Sequence, residues 1–451
     1  MFNPLLLPEL REMLAEQDTD QLRAFCTELH PARTAEFMEG LTAAEAWAVL
    51  RYAELPARVE IFRYFDDAKQ HEIVETVERR EIGELIAALP PDDRVDLLNQ
   101  INSAVVAELL PLIPAEERRD ILRLRAYPEG TAGALMTTEL AKLGESVPVR
   151  AALEQISHQA ENLETINYLY IVDDEDHLRG VVSTRQLVSS LGKPDRPMGD
   201  LMERDLVTVN DTDDQETIAE RVARYDLLAI PVVDGEHHLL GIITHDDVID
   251  VMQAEATEDL HRLGAVDPLN TSYLQTHWFT LTWKRGLWLL ILFGASLLTA
   301  AVLKAYQTNL GGMTWLVLFI PLVISSGGNS GSQSATLVVR ALTVGDVRLR
   351  DWARVVLREL LIGLCLGAVL GVFGYLAVFA FEPADRIEAL VIPVTLVLVV
   401  LCGTLSGSLL PLLFQRLGLD PALMSNPFVA SISDITGIVI YMKVALTILG
   451  R

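Results

Sequence analysis

A single carboxylate, Asp434, interrupts the otherwise uncharged run Asn426-Pro427-Phe428-Val429-Ala430-Ser431-Ile432-Ser433-Asp434-Ile435-Thr436-Gly437. Read as a helix at 1.5 Å per residue, the run puts Asp434 roughly ten Å or more beyond Pro427. A second run combines small and polar residues without charge: Pro321-Leu322-Val323-Ile324-Ser325-Ser326-Gly327-Gly328-Asn329-Ser330-Gly331-Ser332-Gln333-Ser334-Ala335-Thr336. Helix packing alone needs only small residues at every fourth position. The added amide and hydroxyl groups, beside an expected break at Pro321 and Gly327-Gly328, suit irregular backbone lining a wet cavity. Oxygen-rich small residues and one carboxylate describe a path for a hydrated hard cation. Glu359, after Arg358 at the edge of another apolar run, is a further candidate, with pairing to Arg358 as the plainer alternative.

Both runs sit in a half of the chain built for a bilayer. Five apolar stretches, approximately 286–302, 315–339, 355–381, 390–414 and 427–449, approach the about 20 residues a spanning helix needs. An acid at such depth is costly and marks function by default. Lys443 reads as a snorkelling residue. Lys284 and Arg285 precede the first stretch, and Arg340, Arg348, Arg350 and Arg354 follow the second. The next loop carries Glu382, Asp385 and Glu388 against Arg386. The positive-inside rule then puts the amino terminus in the cytosol and, after five spans, Arg451 outside.

The charge is divided unequally. Of 62 acids and 36 bases, 54 acids and 24 bases precede Thr271. All nine histidines lie at or before His277. So acidic a body does not suit nucleic acid, which demands a basic face; it suits a cation. Cys26, Cys365 and Cys402 form no Cys-x-x-Cys and indicate neither a disulfide framework nor a thiolate metal site. The first twenty residues lack a basic start and signal-peptide core.

An internal repeat fills the region from Leu135 to about Met252. Tyr170-Ile171-Val172-Asp173 and Gly180-Val181-Val182-Ser183 recur 61 residues later as Pro231-Val232-Val233-Asp234 and Gly241-Ile242-Ile243-Thr244. Leu135-Met136 and Leu201-Met202 open the copies, each read as helix, strand, turn, strand, helix. This resembles a tandem pair of cystathionine β-synthase (CBS) domains, which bind adenosine nucleotides in many proteins. The resemblance implies a ribose-holding motif at Thr244-His245-Asp246-Asp247; aligning Thr184-Arg185-Gln186-Leu187 with it leaves the first copy without the acid. Before the repeat, prolines at 31, 56, 90–91 and 114 open short amphipathic helices, read as a turning stack. After it, 248 to about 270 reads as an acidic helix leading to the membrane.

The whole chain resembles the MgtE family of Mg²⁺ channels. Three stretches carry the likeness: Tyr127-Pro128-Glu129-Gly130-Thr131-Ala132-Gly133-Ala134-Leu135-Met136; Gly327 to Gln333 with Val338-Val339-Arg340; and Asp420-Pro421-Ala422 with Asn426-Pro427-Phe428 through Asp434 and Gly437. The resemblance implies a multidomain α-helical membrane protein in four parts: an acidic all-α helical-repeat domain (1–130), a tandem CBS pair (131–250), a plug helix (251–274) and a five-helix transmembrane pore domain (275–451). It implies a homodimer in the cell (inner) membrane, with a pore lined by the second and fifth spans. Asp434 becomes the ion-binding carboxylate and Asn426 a residue of the cytosolic mouth; Gly327, Gly328, Asn329 and Gly437 line the path with them. It also implies feedback. Cytosolic Mg²⁺ bridges acidic surfaces and holds the pore shut, with Asp214, Glu216, Asp226, Asp247, Asp250, Glu255, Glu258 and Asp259 as first ligands and Asp92, Asp93, Asp96 and Asp420 beside them. ATP is implied as a modulator, through Thr244 and Asp247.

Other readings meet obstacles. An intramembrane metalloprotease needs His-Glu-x-x-His, and no histidine follows His277. An anion channel wants Arg or Lys where Asp434 stands. A path for Mn²⁺, Co²⁺ or Ni²⁺ would favour softer donors, and the nearest sulfur, Met442, is two turns from Asp434. A non-transporting membrane Mg²⁺ sensor stays open at this point, against the polar second span.

Overall fold

The computed structural model describes residues 7–160, 163–269, 273–274, 276–306, 314–381 and 386–450. Glu382, Asp385 and Arg451, on which the expected orientation leans, lie outside them. The chain divides into two compact units, Met1–Met252 and Gln253–Arg451.

Among the described residues the first unit opens with ten α-helices: α1 (Leu7–Glu16), α2 (Thr19–Glu28), α3 (Pro31–Met38), α4 (Ala43–Leu50), α5 (Leu55–Arg63), α6 (Asp67–Thr76), α7 (Arg79–Ala88), α8 (Pro91–Gln100), α9 (Ser103–Leu109) and α10 (Ala115–Leu124). From α3 onward each helix packs on its second neighbour, which makes a turning stack around one continuous apolar core. Prolines open α3, α5 and α8, where the missing N–H costs nothing. The stack has a fastener that the prolines do not reveal. Arg58 donates to the carbonyls of Leu50, Arg51 and Ala53; Gln70 to Phe62, Arg63 and Phe65; Arg94 to Ile86, Ala87 and Leu89. In each case the donor sits eight, seven and five residues after its acceptors. It thus satisfies the orphan carbonyls of the preceding helix end.

After the short α11 (Ala132–Leu135), the first copy of the repeat holds β1 (Lys142–Gly144), α12 (Val149–Gln159), β2 (Tyr168–Val172), β3 (Leu178–Ser183) and α13 (Thr184–Ser189). The second holds β4 (Val209–Asn210), α14 (Gln215–Tyr225), β5 (Ala229–Val233), β6 (Leu239–Thr244) and α15 (His245–Leu263). The 61-residue offset holds in the backbone for β2, β3 and the helix start after them, while β1 and α12 recur 66 residues on as β4 and α14. Tyr168 pairs Ser183 as Ala229 pairs Thr244, and the bulge at Ile171/Val172 recurs at Val232/Val233. The opening Leu-Met pairs cross between copies. A Cβ on Gly180 would meet Met202 Sδ at 2.6 Å, and one on Gly241 would meet Met136 Sδ at 2.9 Å. The Leu178 N–H donates to the His237 carbonyl and the Leu239 N–H to that of Asp176, so the two turns clasp each other.

α15 begins at His245 and ends at Leu263, a shift from the expected 248–270. The N–H of Val266 reaches the carbonyl of His261 and that of Ala265 the carbonyl of Arg262, with Ala265 left-handed at φ 56°. This double bond closes the helix well before residue 270.

The second unit adds α16 (Trp278–Tyr306), α17 (Thr314–Thr343), α18 (Trp352–Phe381), α19 (Val391–Arg416) and α20 (Asn426–Ile448). Among the described residues, four helical stretches are long and apolar enough to cross a membrane: 278–306, 349–381, 388–416 and 426–448. α17 has the length, and its run of Ser, Gly, Asn and Gln dilutes its apolar character. The expected break in it is absent: α17 continues through Pro321 and Gly327-Gly328. The glycines serve packing instead. A Cβ on Gly403 would lie 2.4 Å from the Gly327 carbonyl oxygen, and one on Gly407 only 2.1 Å from that of Gly331. Small residues four apart on both helices let α17 and α19 touch backbone to backbone. Gly363, Gly367 and Gly371 seat α18 on α19 in the same way. Gly407→Ala should therefore destabilise the membrane unit by about 1–3 kcal/mol through overpacking against an immovable carbonyl. Unfolding in detergent would measure it; no shift in midpoint would contradict the packing.

Candidate ion path and acidic clusters

Asp434 lies on α20, half-buried, against α17. A Cβ on Gly328 would sit 3.3 Å from Asp434 Oδ1 and 3.4 Å from Ala430 Cβ, so the glycine gives the carboxylate its room. Toward the start of α20 the two helices are stitched by polar groups. Ser332 Oγ donates to the Asn426 carbonyl at 3.1 Å, and Thr336 Oγ1 donates to Asn426 Oδ1 at 3.1 Å. Ser325, Asn329, Ser332 and Thr336 recur at i, i+4, i+7 and i+11, one helical face, exposed or half-buried. Asn329 Nδ2 donates to Ser325 Oγ at 3.1 Å. Asp434 is the only acid on α17 or α20. Gly437 is buried against Val399 of α19.

Glu359 is elsewhere. It is buried, and the Ser334 hydroxyl donates to its Oε2 at 2.6 Å, tying α18 to the face of α17 that packs inward. It lies apart from the stripe that carries Asn329.

In the first unit one set of acids comes together around the start of α8. α8 starts with Asp92 and Asp93 in its first turn, after two prolines, with Asp96 a turn later. The charges of Asp247 and Asp246, at the start of α15, and of Glu164, before β2, act on these three. Asp92 is 6% exposed, and its Oδ1 has no hydrogen-bond partner among the described residues. Burial, then Asp93 and Asp247, hold its carboxyl well above the usual range. Burial raises Asp93 too, against the opposing pull of the Arg63 guanidinium paired with it. Asp96 keeps an open edge to solvent; the protein crowded around it and the charges of Asp93 and Asp247 push it up to about 7. Glu164 is pushed up to about 7 and Asp247 to about 6, chiefly by burial, although Thr244 Oγ1 donates to Asp247 Oδ2 at 2.5 Å. Glu164 was not legible as a member: nothing in its local sequence distinguishes it.

Asp214, Glu216 and Asp226 belong to α14. Asp214 caps its start, accepting from the Glu216 N–H at 2.9 Å. Asp226 ends it in the left-handed region at φ 51°, exposed. Asp250 is exposed on α15.

In the second unit the end of α15 meets the loop before α20. Arg262 pairs with both Glu258 and Asp420, and Asp420 Oδ1 also caps its own loop by accepting from the Ala422 N–H at 2.7 Å. Burial, then the charges of Asp420 and Glu255, raise Asp259. Among the described residues, no three His, Cys, Asp or Glu side chains converge tightly enough to cage a metal ion alone. Mg²⁺ fits this donor set in another way: it is hard, prefers oxygen and keeps several waters, so one or two carboxylates per ion suffice. The unpartnered Asp92 oxygen, surrounded by carboxyls that burial and mutual repulsion have raised, favours a dication there.

The nucleotide motif takes a register one residue off the expected one. By the 61-residue offset Thr244 and Asp247 correspond to Ser183 and Gln186, not to Thr184 and Leu187. Ser183 Oγ donates to Gln186 Oε1 at 2.9 Å, matching the Thr244–Asp247 bond. The first copy still lacks the acid, with an amide in its place.

The raised carboxyls make the stability of the first unit pH-dependent. Their folded pKa values of about 6 to about 7 exceed the ordinary values of 3.8 and 4.5. Their contribution is most favourable below about pH 4 and is lost as pH rises toward about 7. A fragment of residues 1–252 should therefore melt several degrees lower at about pH 8 than at about pH 5.5, and about 10 mM Mg²⁺ should remove most of the difference. A melting temperature that rises with pH over this window would contradict the crowding.

A CBS pair followed by a bundle of long apolar helices defines a multi-pass membrane protein. The comparisons narrow the class. Residues 320–444 match the model of the MgtE family, described as a divalent cation transporter; 29–130 match the MgtE intracellular N domain; 132–193 and 198–254 match CBS domains. "Magnesium transporter MgtE" of Thermus thermophilus is 37% identical over 447 residues, 98% of each chain. The protein of that name from Enterococcus faecalis is 36% identical over 331 residues, 73% of this chain and 72% of that one. The cytosolic domain of the Mg²⁺ channel MgtE in complex with ATP superposes with a TM-score of 0.51 at 32% identity, covering 54% of this chain and 98% of that one. The chain belongs to the MgtE family.

Proposed function

We propose that this protein is a Mg²⁺-selective channel of the cell (inner) membrane, a homodimer that takes up Mg²⁺ and closes when cytosolic Mg²⁺ binds its acidic regions. One observation carries the reading: a lone carboxylate, Asp434, beside a glycine, on a helix pair whose exposed face is lined by Ser, Asn and Thr. The names of the relatives support the ion, and the hard oxygen donors suit Mg²⁺. Asn426, Gly328 and Asn329 complete the path; Gly327 and Gly437, buried against Val399 of α19, support it from behind, as does Glu359. Two copies of the polar face, related by a two-fold axis, would enclose a passage for a largely hydrated ion.

The acids of α8, α14 and α15, with Asp420, serve as the sensor, and ATP modulates it through Thr244 and Asp247. The working division is an acidic helical domain to 130, the CBS pair to 250, the plug helix to 263 with its connection to 274, and the pore domain beyond. The amino terminus is cytosolic and the carboxyl terminus external.

Uptake by reconstituted vesicles tests conduction. Small residues and one Asp per subunit cannot replace six waters, and Mg²⁺ dehydrates reluctantly. Cobalt hexammine, an inert mimic of hydrated Mg²⁺, should therefore block the uptake. Absence of any Mg²⁺ flux would make the protein a sensor instead, and flux of Mn²⁺ or Ni²⁺ in preference to Mg²⁺ would reassign the ion.

A further inference from the structure

The basic end of the membrane unit holds a groove of about 540 Å³ between the start of α18 and the end of α19. Leu409, Leu412, Leu413 and Arg416 form one wall, at i, i+3, i+4 and i+7 on a single face of α19; Arg350 and Trp352 stand opposite. Leu409, Leu413 and Trp352 are 41%, 49% and 56% exposed, apolar surface that a bilayer would cover. The nearby Asp351 is already engaged, accepting from the Arg348 N–H and pairing with Arg354. Among the described residues neither Arg350 nor Arg416 pairs with a carboxylate. Two guanidinium groups thus face one apolar groove without a counter-charge.

We propose that this groove binds an anionic phospholipid. The phosphate lies between Arg350 and Arg416, whose planar forks match it. The amino-terminal end of the 30-residue α18 adds its partial positive charge. Trp352 sits at the level of the glycerol backbone, where indoles concentrate. An acyl chain runs along Leu409 and Leu413. A zwitterionic lipid brings its own cation to the same place, so net anionic headgroups are preferred.

Native mass spectrometry of the purified full chain, titrated with phosphatidylglycerol and with phosphatidylcholine of identical acyl chains, tests this. The intact protein should retain phosphatidylglycerol at least about threefold more than phosphatidylcholine. The Arg350→Gln/Arg416→Gln pair should lose that preference, and Arg386→Gln, in the loop at the other end of α18, should keep it. Leu413→Trp, which fills the groove and leaves the charges in place, should lower phosphatidylglycerol retention without loss of fold. Equal retention of the two lipids by the intact protein would overturn the proposal, as would an unchanged preference in the double variant. Efficient disulfide formation between two copies of Leu413→Cys in membranes would put a second copy in the groove and overturn it as well.

Discussion

Replacing Asp434 by alanine should reduce Mg²⁺ uptake by about tenfold or more while leaving expression and thermal stability close to those of the parent. The folding half of the statement follows from the site. Asp434 is half-buried and makes no salt bridge among the described residues, so its removal strands no buried charge. The functional half follows from its isolation. Asp434 is the only acid on the two helices that carry the polar face, and two copies across a dimer axis would supply the whole charge that holds a dication in the path. Asp434→Asn separates charge from shape. It keeps the volume beside Gly328 and should be nearly as inactive as alanine. Mg²⁺-dependent growth and vesicle uptake measure both; normal, selective uptake by either variant would remove Asp434 from the path.

The second large effect concerns closure. Deleting the residues ahead of α15, or neutralising Asp226 and Asp250 together, should leave the channel conducting at Mg²⁺ levels that close the parent. From Met1 to Asn270 acids exceed bases by 30, from 54 against 24. Such a surplus resists close packing unless cations screen it. A ligand shifts a two-state balance only by its preference for one state, and Mg²⁺ has that preference if its carboxylates come from surfaces that approach in the closed form. Neutralisation also lowers repulsion, which works the other way. Lost bridges should dominate, because bridging is local while general repulsion is weakened by salt. An unchanged Mg²⁺ closing curve in both constructs would mean that the acidic half is not the sensor.

The residues differ in how much they announced. The CBS repeat was legible because a 61-residue offset in strand and turn residues needs no tertiary knowledge, and the backbone repeats it down to the bulge at Val232/Val233. The one-residue error in aligning its motif arose because Ser183 and Thr184 both carry hydroxyls; only the bond to Gln186 chooses between them. The apolar stretches announced the membrane helices for the same local reason. What local sequence does not carry is the choice of neighbour. The sequence suggests a break at Pro321 and Gly327-Gly328, whereas Gly327, Gly331 and Ala335, spaced four apart, face Gly403 and Gly407 in an unbroken α17. Glu359 was set against Arg358 and found Ser334. Glu164 joined the α8 acids from more than sixty residues away. Arg58, Gln70 and Arg94 carry no mark in their local sequence and are the fasteners of the helical stack.

The most direct test of the whole account is single-channel recording from the reconstituted protein with Mg²⁺ as the only permeant cation, while Mg²⁺ on the side of the acidic domains is titrated. The account predicts Mg²⁺-carried openings at low Mg²⁺ on that side, which disappear as it rises, and neither openings nor Mg²⁺ uptake in Asp434→Ala. Recordings indistinguishable from bare bilayer at every Mg²⁺ level, from protein shown to be folded and inserted, would contradict it.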